Sequence, residues 1–426
     1  MLISIKNINQ RLEVDLPLSK SESNRALMIW HYSGSIDYAD LTHLSDSDDT
    51  VLLRELLSKV REALSGAEVV ELDCNNAGTV LRFLLTAVAN MQSAIDDGST
   101  SNHQGFLLTG SERMQRRPIG VLVDTLRRLG VSVEYKGRDG YPPLLVRGCR
   151  IEGGRVEVSA EQSSQFVSSL LLAAPLWRNG LELHLTGDVS SLSYIDMTIS
   201  MMRRCGIDVE RNGRVIIAKP GTYNLGNINI EPDWSAAAFW YEMVAFSDDS
   251  EIMLKNLNIN SLQADAASIK MFERLCVETT ASDKGVILKK SKSESEPLSF
   301  DFRDCPDLFP AVIATCAGLK VDATFTGLRN LSIKESDRKQ AMMNELKKIG
   351  VSFENISDDE MKMFCHQELP CFTEENPMVF DNYEDHRIAM ALSILSMKIG
   401  AVSMEKPEVV SKSYPKFWEE SFITLT

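Results

Sequence analysis

Residues 19–30, SKSESNRALMIW, open with charged and polar side chains and then become apolar. Five later segments have the same design: NAGTVLRFLLTAVA (76–89), SSQFVSSLLLAAPL (163–176), PDWSAAAFWYEMVAF (232–246), PDLFPAVIATCAGL (306–319) and EDHRIAMALSILSM (384–397). A helix that is apolar almost all round is typical of a protein core. We therefore predict six buried helices, and their recurrence at intervals of roughly 55–85 residues indicates an internal repeat.

A second kind of segment alternates with the first. It is an amphipathic helix with basic residues near its end, followed by a short β-segment, as in VDTLRRLGVSVEY (123–135), ISMMRRCGIDVER (199–211), IKMFERLCVETT (269–280) and MNELKKIGVSFEN (343–355). DSDDTVLLRELLSKV (46–60) resembles the same helix, and further strands are predicted at RVEVSA (155–160), LELHLTG (181–187) and VIIAK (215–219). The pattern indicates about six copies of one α/β unit, with the apolar helices inside and the sheets outside.

Three such units can close around one three-helix core. The predicted fold class is therefore α/β, with two inside-out domains of three repeated units each and threefold pseudosymmetry within each domain. The helix count predicts one domain over 19–231 and a second over 1–18 plus 232–426. The first stretch, MLISIKNINQRLEV (1–14), alternates like a strand of the second domain, and the polar stretches 92–105 and 289–299 are predicted loops.

Composition excludes several classes of protein. A chain of 426 residues with 44% hydrophobic residues is long enough for two cores, and it has neither a signal peptide nor an apolar run of the ~18 residues that a membrane span needs. We expect a cytoplasmic monomer that binds no membrane. The formal net charge of −15 argues against a nucleic-acid partner.

The eight cysteines form no CxxC pair and are predicted to be free thiols. Cys365, His366 and Cys371 lack an evident fourth ligand, so no metal site is predicted, and no cofactor is expected.

The polar residues of the apolar helices gather at the helix starts. A buried helix start leaves amide groups without partners, and it favours anions. An acidic chain that binds anions must concentrate its cations in a cleft. These helix starts therefore predict an anion site in the cleft between the two domains, built from Lys20, Ser21, Asn76, Thr79, Ser163, Ser164, Gln165, Asp233, Ser235, Asp307, Asp385, His386 and Arg387.

Several short motifs follow one another in a specific order. They are LPLSKSESNRAL (16–27), LSDSDD (44–49), NAGTVLR (76–82), RMQRRPIG (113–120), GYPPL (140–144), SSQF (163–166), SYID (193–196), PDL (306–308), IKESDR (333–338), EDHRIAMA (384–391) and SKSYP (411–415). In this order the chain resembles the 5-enolpyruvylshikimate-3-phosphate (EPSP) synthases over nearly its whole length. The resemblance implies the two-domain inside-out fold and a reaction on the route to chorismate and the aromatic amino acids. In that reaction the 5-hydroxyl of shikimate-3-phosphate attacks phosphoenolpyruvate, and phosphate leaves.

The resemblance also implies the roles of individual residues. The catalytic residues would be Asp307 and Glu335 as the acid–base pair, with Lys20 touching both substrates. Shikimate-3-phosphate would be bound by Lys20, Ser21, Arg25, Ser163, Ser164, Gln165, Ser191, Tyr194, Asp307, Asn330 and Lys334. Phosphoenolpyruvate would be bound by Lys20, Asn76, Gly78, Arg117, Gln165, Glu335, Arg338, His386, Arg387 and Lys412. Glyphosate would compete with phosphoenolpyruvate beside Gly78.

The sequence also leaves open a local structural role, which we call the local reading, for each of the two carboxylates. Asp307 could cap the helix that follows it, and Glu335 could pair with Arg338 three residues on. Two other functions also stay open. A UDP-N-acetylglucosamine enolpyruvyl transferase would carry a reactive cysteine near 113–120, where this chain has none. A non-catalytic anion-binding protein on the same scaffold would be expected to lack Asp307 or Glu335, and both are present.

Overall fold

The computed structural model describes residues 1–5, 11–35, 41, 43–63, 68–91, 105–189, 191–291, 298–366, 368–420 and 423–425. The chain divides into two compact units, Lys20–Ile230 and a second unit formed by Met1–Ser19 with Glu231–Thr426. We call them the 20–230 unit and the two-segment unit. Most of the two predicted loops, residues 92–104 and 292–297, lies outside the described residues.

The 20–230 unit alternates buried and amphipathic helices. In chain order its elements are α1 (Lys20–Tyr32), α2 (Asp48–Glu62), β3 (Val70–Asp73), α3 (Gly78–Ala89), β4 (Phe106–Thr109), α4 (Gly120–Arg128), β5 (Ser132–Tyr135), β6 (Leu144–Arg147), β7 (Gly154–Ser159), α5 (Ser164–Ala173), β8 (Leu181–Thr186), α6 (Leu192–Arg204), β9 (Val209–Asn212) and β10 (Val215–Ala218).

The two-segment unit begins with β1 (Leu2–Ile5) and β2 (Arg11–Val14). After residue 230 it continues with α7 (Trp234–Phe246), β11 (Glu251–Lys255), α8 (Ser268–Glu273), β12 (Val277–Ser282), β13 (Gly285–Lys290), β14 (Leu298–Asp301), α9 (Phe309–Leu319), β15 (Ala323–Thr326), α10 (Arg338–Lys347), β16 (Ser352–Asn355), β17 (Glu360–Phe364), β18 (Met378–Phe380), α11 (His386–Ile394), α12 (Ser396–Ile399), β19 (Val402–Met404), α13 (Phe417–Glu420) and β20 (Ile423–Leu425).

The sheets of the described residues share one pattern of strand pairing. Each has four strands, of which the first two are parallel and the remaining pairs are antiparallel: β3-β4-β6-β5, β7-β8-β10-β9, β2-β11-β13-β12, β14-β15-β17-β16 and β18-β19-β1-β20. The mixed α/β class is therefore confirmed. The threefold pseudosymmetry stays a prediction.

The six predicted apolar helices are confirmed as buried. Helices α1, α3 and α5 pack on one another in the 20–230 unit, and α9 packs against α7 and α11 in the two-segment unit. Each begins within three residues of the predicted start, because the change from polar to apolar side chains marks both the start and the burial of the helix. The amphipathic helices are confirmed as well: α4, α6, α8 and α10 each lead into the strand that follows them.

The prediction of one strand over residues 1–14 was wrong. The stretch forms two strands in two different sheets: β1 pairs with β19 and β20, and β2 pairs in parallel with β11. Alternation shows that one face of a strand is buried, but it does not show which sheet supplies the neighbours. An alternating pattern over residues 1–14 therefore does not show that β1 and β2 belong to different sheets.

The chain passes from one unit to the other at two points, and these points are bound to each other. Leu18 and Pro232 form an antiparallel bridge, flanked by hydrogen bonds from the Ser19 amide to the Glu231 carbonyl (2.8 Å) and from the Asp233 amide to the Pro17 carbonyl (2.9 Å). Because these bonds hold residues 231–233, directly before α7, they fix where that helix begins.

Two predictions from composition can be compared with the described residues. Among the helices that the structure describes, none is long and apolar enough to cross a membrane. All eight cysteines are free thiols, as predicted, and five of them are buried.

Glu242 lies in the middle of α7 and is completely buried. Neither of its carboxylate oxygens has a hydrogen-bond partner among the described residues. Burial raises the pKa of Glu242 well above its usual range, so its folded state is a neutral acid. The unfolded chain releases this proton above about pH 4.3, so Glu242 costs more stability as the pH rises.

We expect the substitution Glu242→Gln to remove that cost, because glutamine has the same shape and no charge to lose. The free energy of unfolding should rise by about 1–3 kcal/mol at pH ~8 and change little at pH ~4. Urea unfolding at both pH values measures this difference.

Glu345→Gln is the matched control. Glu345 is also buried, but it accepts hydrogen bonds from Lys348 Nζ (2.6 Å), Tyr383 OH (3.0 Å) and the Asp381 amide (2.9 Å). Its replacement should lower the free energy of unfolding by about 1–3 kcal/mol. The same sign for both variants at pH ~8 would contradict the assignment of Glu242 as a neutral acid.

Candidate active site

Arg25 is a buried cation within the core of the 20–230 unit. Its Nε donates to Thr198 Oγ1 (2.7 Å), its Nη1 to the Ser21 carbonyl (2.8 Å), and its Nη2 to the Tyr194 carbonyl (3.1 Å) and to Ser168 Oγ (3.3 Å). These acceptors are all uncharged, so they orient the guanidinium without neutralising it. Burial lowers the pKa of Arg25 to about 10, which still leaves it charged at neutral pH.

Gly78 begins α3 directly against two further guanidinium groups. A β-carbon at residue 78 would lie 2.4 Å from Arg82 Nη1 and 2.6 Å from both terminal nitrogens of Arg117. Arg117 is buried and donates to the Asn76 carbonyl (3.4 Å). The missing side chain of Gly78 thus lets two arginines approach the start of a buried helix, which itself favours anions.

The remaining predicted residues of this unit lie at the starts of its other helices. Lys20 begins α1, and its Nζ lies 3.1 Å from Asp49 Oδ2. Ser163 caps α5 by accepting from the Gln165 amide, and Gln165 Nε2 donates to Thr79 Oγ1 (2.9 Å), which joins α5 to α3.

Ser164, Ser191 and Tyr194 complete the predicted set in this unit. Ser164 is buried in the first turn of α5. Ser191 stands just before α6 in the left-handed region, with φ 55°, and its carbonyl accepts from the Tyr194 amide (3.1 Å). The Tyr194 ring lies 5.8 Å from the Arg25 guanidinium.

Arg338 is the centre of the predicted site in the two-segment unit. Its side chain is almost wholly buried and contacts three carboxylates: Nη1 to Asp307 Oδ1 (2.6 Å), Nη2 to Glu335 Oε2 (3.0 Å) and Nε to Asp385 Oδ2 (2.8 Å). Although burial opposes the charged form, Asp385, Glu335 and Asp307 together raise the pKa of Arg338 well above its usual range.

Asp307 is surrounded by cations. Besides Arg338, it lies 3.1 Å from Arg387 Nη2 and 3.5 Å from Lys334 Nζ. Burial alone would raise the pKa of Asp307, but Arg387, Lys334 and Arg338 outweigh it and hold that pKa well below its usual range. Asp307 is therefore an ionised carboxylate whose basicity depends on the charges around it.

The two local readings of the carboxylates have different outcomes. Glu335 does pair with Arg338 three residues on, as the local reading predicts. Asp307 caps no helix: α9 begins at Phe309, and its N-cap residue is Leu308. The local reading of Asp307 was wrong because cations distant in sequence bind its carboxylate.

Three further predicted residues lie on elements next to Arg338 or Arg387. His386 is buried in the first turn of α11, with Nδ1 3.8 Å from Asp385 Oδ1. Asn330 lies in the 3-10 helix Arg329–Ile333, which contacts α10, and Lys412 is buried at the end of the 3-10 helix Pro407–Lys412, which contacts α11.

The structure adds Asp49 and Arg82, which the sequence-based site omits, and it shows which cation the predicted Asp385 binds. Asp49 pairs with Lys20, Arg82 lies beside Gly78, and Asp385 binds Arg338 while capping α11 through the Arg387 amide (3.0 Å). Each stands inside or next to a quoted motif, which is the signal that could have included it. The partners of Asp49 and Asp385 lie far away in the sequence, so the roles of these two residues depend on tertiary structure, whereas Arg82 stands one helical turn after Gly78.

The two clusters have different chemistry. In the 20–230 unit, Arg25, Arg82 and Arg117 surround helix starts and supply the positive charge and donors that phosphate or carboxylate groups require. In the two-segment unit, carboxylates lie among cations, an arrangement that can bind anions and move protons. The class of protein is thus an enzyme acting on small molecules that carry several negative charges.

Comparison with known proteins narrows this class. The sequence model of the EPSP synthase (3-phosphoshikimate 1-carboxyvinyltransferase) family matches residues 6–420. A 3-phosphoshikimate 1-carboxyvinyltransferase from Bacteroides fragilis is 37% identical over 408 residues, covering 96% of this chain and 93% of that protein. One from Vibrio vulnificus is 31% identical over 437 residues, covering 98% and 96%. The chain belongs to the EPSP synthase family.

Solved structures agree on the fold. The EPSP synthase of Acinetobacter baumannii superposes with a TM-score of 0.72 at 21% identity, covering 99% of this chain and 97% of that chain. The enolpyruvyl transferase NikO from Streptomyces tendae gives a TM-score of 0.64 at 13% identity, covering 98% and 96%.

We expect Arg338→Lys to destabilise the protein although it keeps the positive charge. A single ammonium group cannot serve three carboxylates held by a planar guanidinium, so the free energy of unfolding should fall by about 2–4 kcal/mol. Denaturant unfolding at neutral pH is the measurement. Arg150→Lys, at an exposed pair with Glu152, is the control and should change stability by less than about 0.5 kcal/mol. Equal losses in the two variants would contradict the central role of Arg338.

Proposed function

We propose that the chain transfers the enolpyruvyl group of phosphoenolpyruvate to the 5-hydroxyl of shikimate-3-phosphate and releases phosphate. The observation that carries the proposal is the environment of Asp307, an ionised carboxylate held by Lys334, Arg338 and Arg387 in a member of the EPSP synthase family. The resemblance of individual motifs supports the assignment of single residues.

The proposed reaction has two stages. The 5-hydroxyl oxygen attacks C2 of phosphoenolpyruvate and loses its proton, while C3 gains a proton, which gives a tetrahedral intermediate. The C2–O bond to phosphate then breaks, a proton leaves C3, and the enolpyruvyl double bond forms again. The reaction therefore needs groups that accept and donate protons next to groups that bind two anionic substrates.

Asp307 suits the acceptor of the hydroxyl proton. Its three cations hold the pKa of Asp307 well below its usual range, which makes it a weak base. Two of them, Arg338 and Arg387, are the arginines assigned to phosphoenolpyruvate, and Lys334 is assigned to shikimate-3-phosphate. Substrate anions would share these cations with Asp307, so its pKa would rise when both substrates are bound. Because Asp307 takes the hydroxyl proton, we assign the donation of the C3 proton to Glu335, the other member of the acid–base pair, with Lys20 contacting both substrates.

In the 20–230 unit, the same proposal assigns each cation to one of the two substrates. Arg25 would hold shikimate-3-phosphate together with Ser21, Ser163, Ser164, Ser191 and Tyr194. Arg117, with Asn76, Gly78 and Gln165, would hold phosphoenolpyruvate. His386 and Lys412 would complete the phosphoenolpyruvate site, and Asn330 the shikimate-3-phosphate site. We further propose that the protein is a cytoplasmic monomer. The free thiols support the cytoplasmic compartment, because disulfides are rare there.

An assay of phosphate release tests the function. Purified protein with phosphoenolpyruvate should release inorganic phosphate when shikimate-3-phosphate is added, and not when UDP-N-acetylglucosamine is added instead. Release with the sugar nucleotide would identify the sister enolpyruvyl transferase. Release with neither substrate, together with tight binding of shikimate-3-phosphate, would identify a non-catalytic binding protein.

Asp307→Asn tests the proton acceptor. Because the amide cannot take a proton, turnover should fall by about 10²–10⁴-fold, whereas shikimate-3-phosphate binding should stay within about tenfold. The two readouts are phosphate release and titration calorimetry. Asp208→Asn, at an exposed pair with Lys219, is the control and should keep its turnover. Turnover by Asp307→Asn near that of the control would remove Asp307 from the mechanism.

Gly78→Ala tests the phosphoenolpyruvate pocket. We expect the unchanged protein to be inhibited by glyphosate in competition with phosphoenolpyruvate. The new methyl group would displace the guanidinium groups of Arg82 and Arg117, and it should raise the glyphosate inhibition constant by a larger factor than the KM for phosphoenolpyruvate. Gly137→Ala is the control, since a β-carbon there meets only Pro143 Cδ at 3.5 Å. Wild-type tolerance of millimolar glyphosate would contradict the prediction.

A further inference from the structure

Asp265 is a buried carboxylate in the two-segment unit that the proposed mechanism does not use. It lies in the 3-10 helix Ala264–Ala267 and is only 2% exposed. Ser235 Oγ donates a hydrogen bond to its Oδ2, while its Oδ1 has no hydrogen-bond partner among the described residues. Such a group is costly to bury as an anion, so its surroundings decide its charge.

The polar and charged groups that act on Asp265 come from three elements. Asp233 and Ser235 stand at the start of α7, Asp307 and the Cys305 thiol at the approach to α9, and Arg387 at the start of α11. Burial and the negative charge of Asp307 disfavour the ionised form of Asp265, and Arg387 favours it; together they raise the pKa of Asp265 to about 7. Asp265 and Asp307 therefore compete for the charge of Arg387.

The start of α7 is hydrogen-bonded to the segment that carries Asp265. Gln263, two residues before Asp265, accepts from the Trp234 amide (3.0 Å) and donates to the Pro232 carbonyl (2.8 Å). This segment therefore fixes Asp265 against Ser235. A carboxylate held in this way cannot turn towards solvent when it becomes charged.

We propose that Asp265 is a positioning residue that tunes Arg387 for the binding of anions, taking up a proton when an anion binds there. The proposal rests on the phosphoenolpyruvate-binding role given to Arg387 above. An anion next to Arg387 adds negative charge beside Asp265 and favours its neutral form. An ionised Asp265 instead competes with the anion for the guanidinium.

The pH dependence of the KM for phosphoenolpyruvate tests this proposal. Between pH ~6.5 and ~8.5 the wild-type KM should rise by about three- to tenfold as Asp265 becomes charged. Asp265→Asn keeps an oxygen for Ser235 and carries no charge, so its KM should be nearly constant over the same range. A KM that rises equally in both proteins would overturn the proposal.

Ser235→Ala is the matched control. It removes the hydrogen bond and keeps the carboxylate, so the rise in KM should persist and move to higher pH, because that hydrogen bond favours the ionised form. If Asp265 acted only as a structural contact of α7, both variants would lower kcat/KM by one factor at every pH, and neither would change the pH dependence. That result too would overturn the proposal.

Infrared difference spectroscopy tests the proton without catalysis. The carbonyl band of a buried carboxylic acid should fade as the pH rises through about 7 and return when inorganic phosphate is added, in a Glu242→Gln protein that lacks the neutral acid of α7. The band should be absent when Asp265→Asn is added. A protein that releases no phosphate with either co-substrate but shows this band would disprove the proposed function and leave the protonation of Asp265 standing. A protein that turns over but lacks the band would disprove the proposal for Asp265.

Discussion

The contact of Arg338 with three carboxylates organises the charged part of the two-segment unit. Asp307, Glu335 and Asp385 come from three different stretches of the chain, and all lie within 3.0 Å of one buried guanidinium. Three carboxylates so close together would repel one another and favour protonation without that cation. Asp385 then fixes the start of α11 and thereby the backbone of Arg387. The cation therefore acts on the fold and on the candidate site at once.

The acidic composition and the buried cations of the two units are consistent with each other. The net charge of −15 is spread over the chain, whereas Arg25, Arg82, Arg117, Arg338 and Arg387 are all buried. A buried cation keeps a strong field because little water screens it. Anions can thus be attracted locally by a protein that is negative as a whole. The field near these arginines therefore depends more on their low exposure than on the net charge of the chain.

Local patterns in the sequence predicted the helices and their starts. In SKSESNRALMIW and the five later segments of the same design, one change from polar to apolar residues sets both where a helix begins and which part is buried. The same reasoning failed at residues 1–14, since β1 and β2 have one alternating pattern and different partners. The motifs indicated Asp307 and Arg338, but not that Asp385 binds Arg338 or that Asp265 faces Arg387. Those contacts join residues far apart in sequence, and no local pattern records them.

The pairing of β1 affects the order in which the protein can fold as it leaves the ribosome. In its sheet, strand β1 lies between β19 and β20, which both come about 400 residues later in the sequence. Strand β2 cannot pair until β11 has been made. The 20–230 unit has its sheets and buried helices complete once residue 230 has emerged, so it can fold first. The first strands must remain unpaired through most of translation. For Leu2–Ile5 the second edge is covered only when β20 has been made, and this delay is imposed by the sheet order alone.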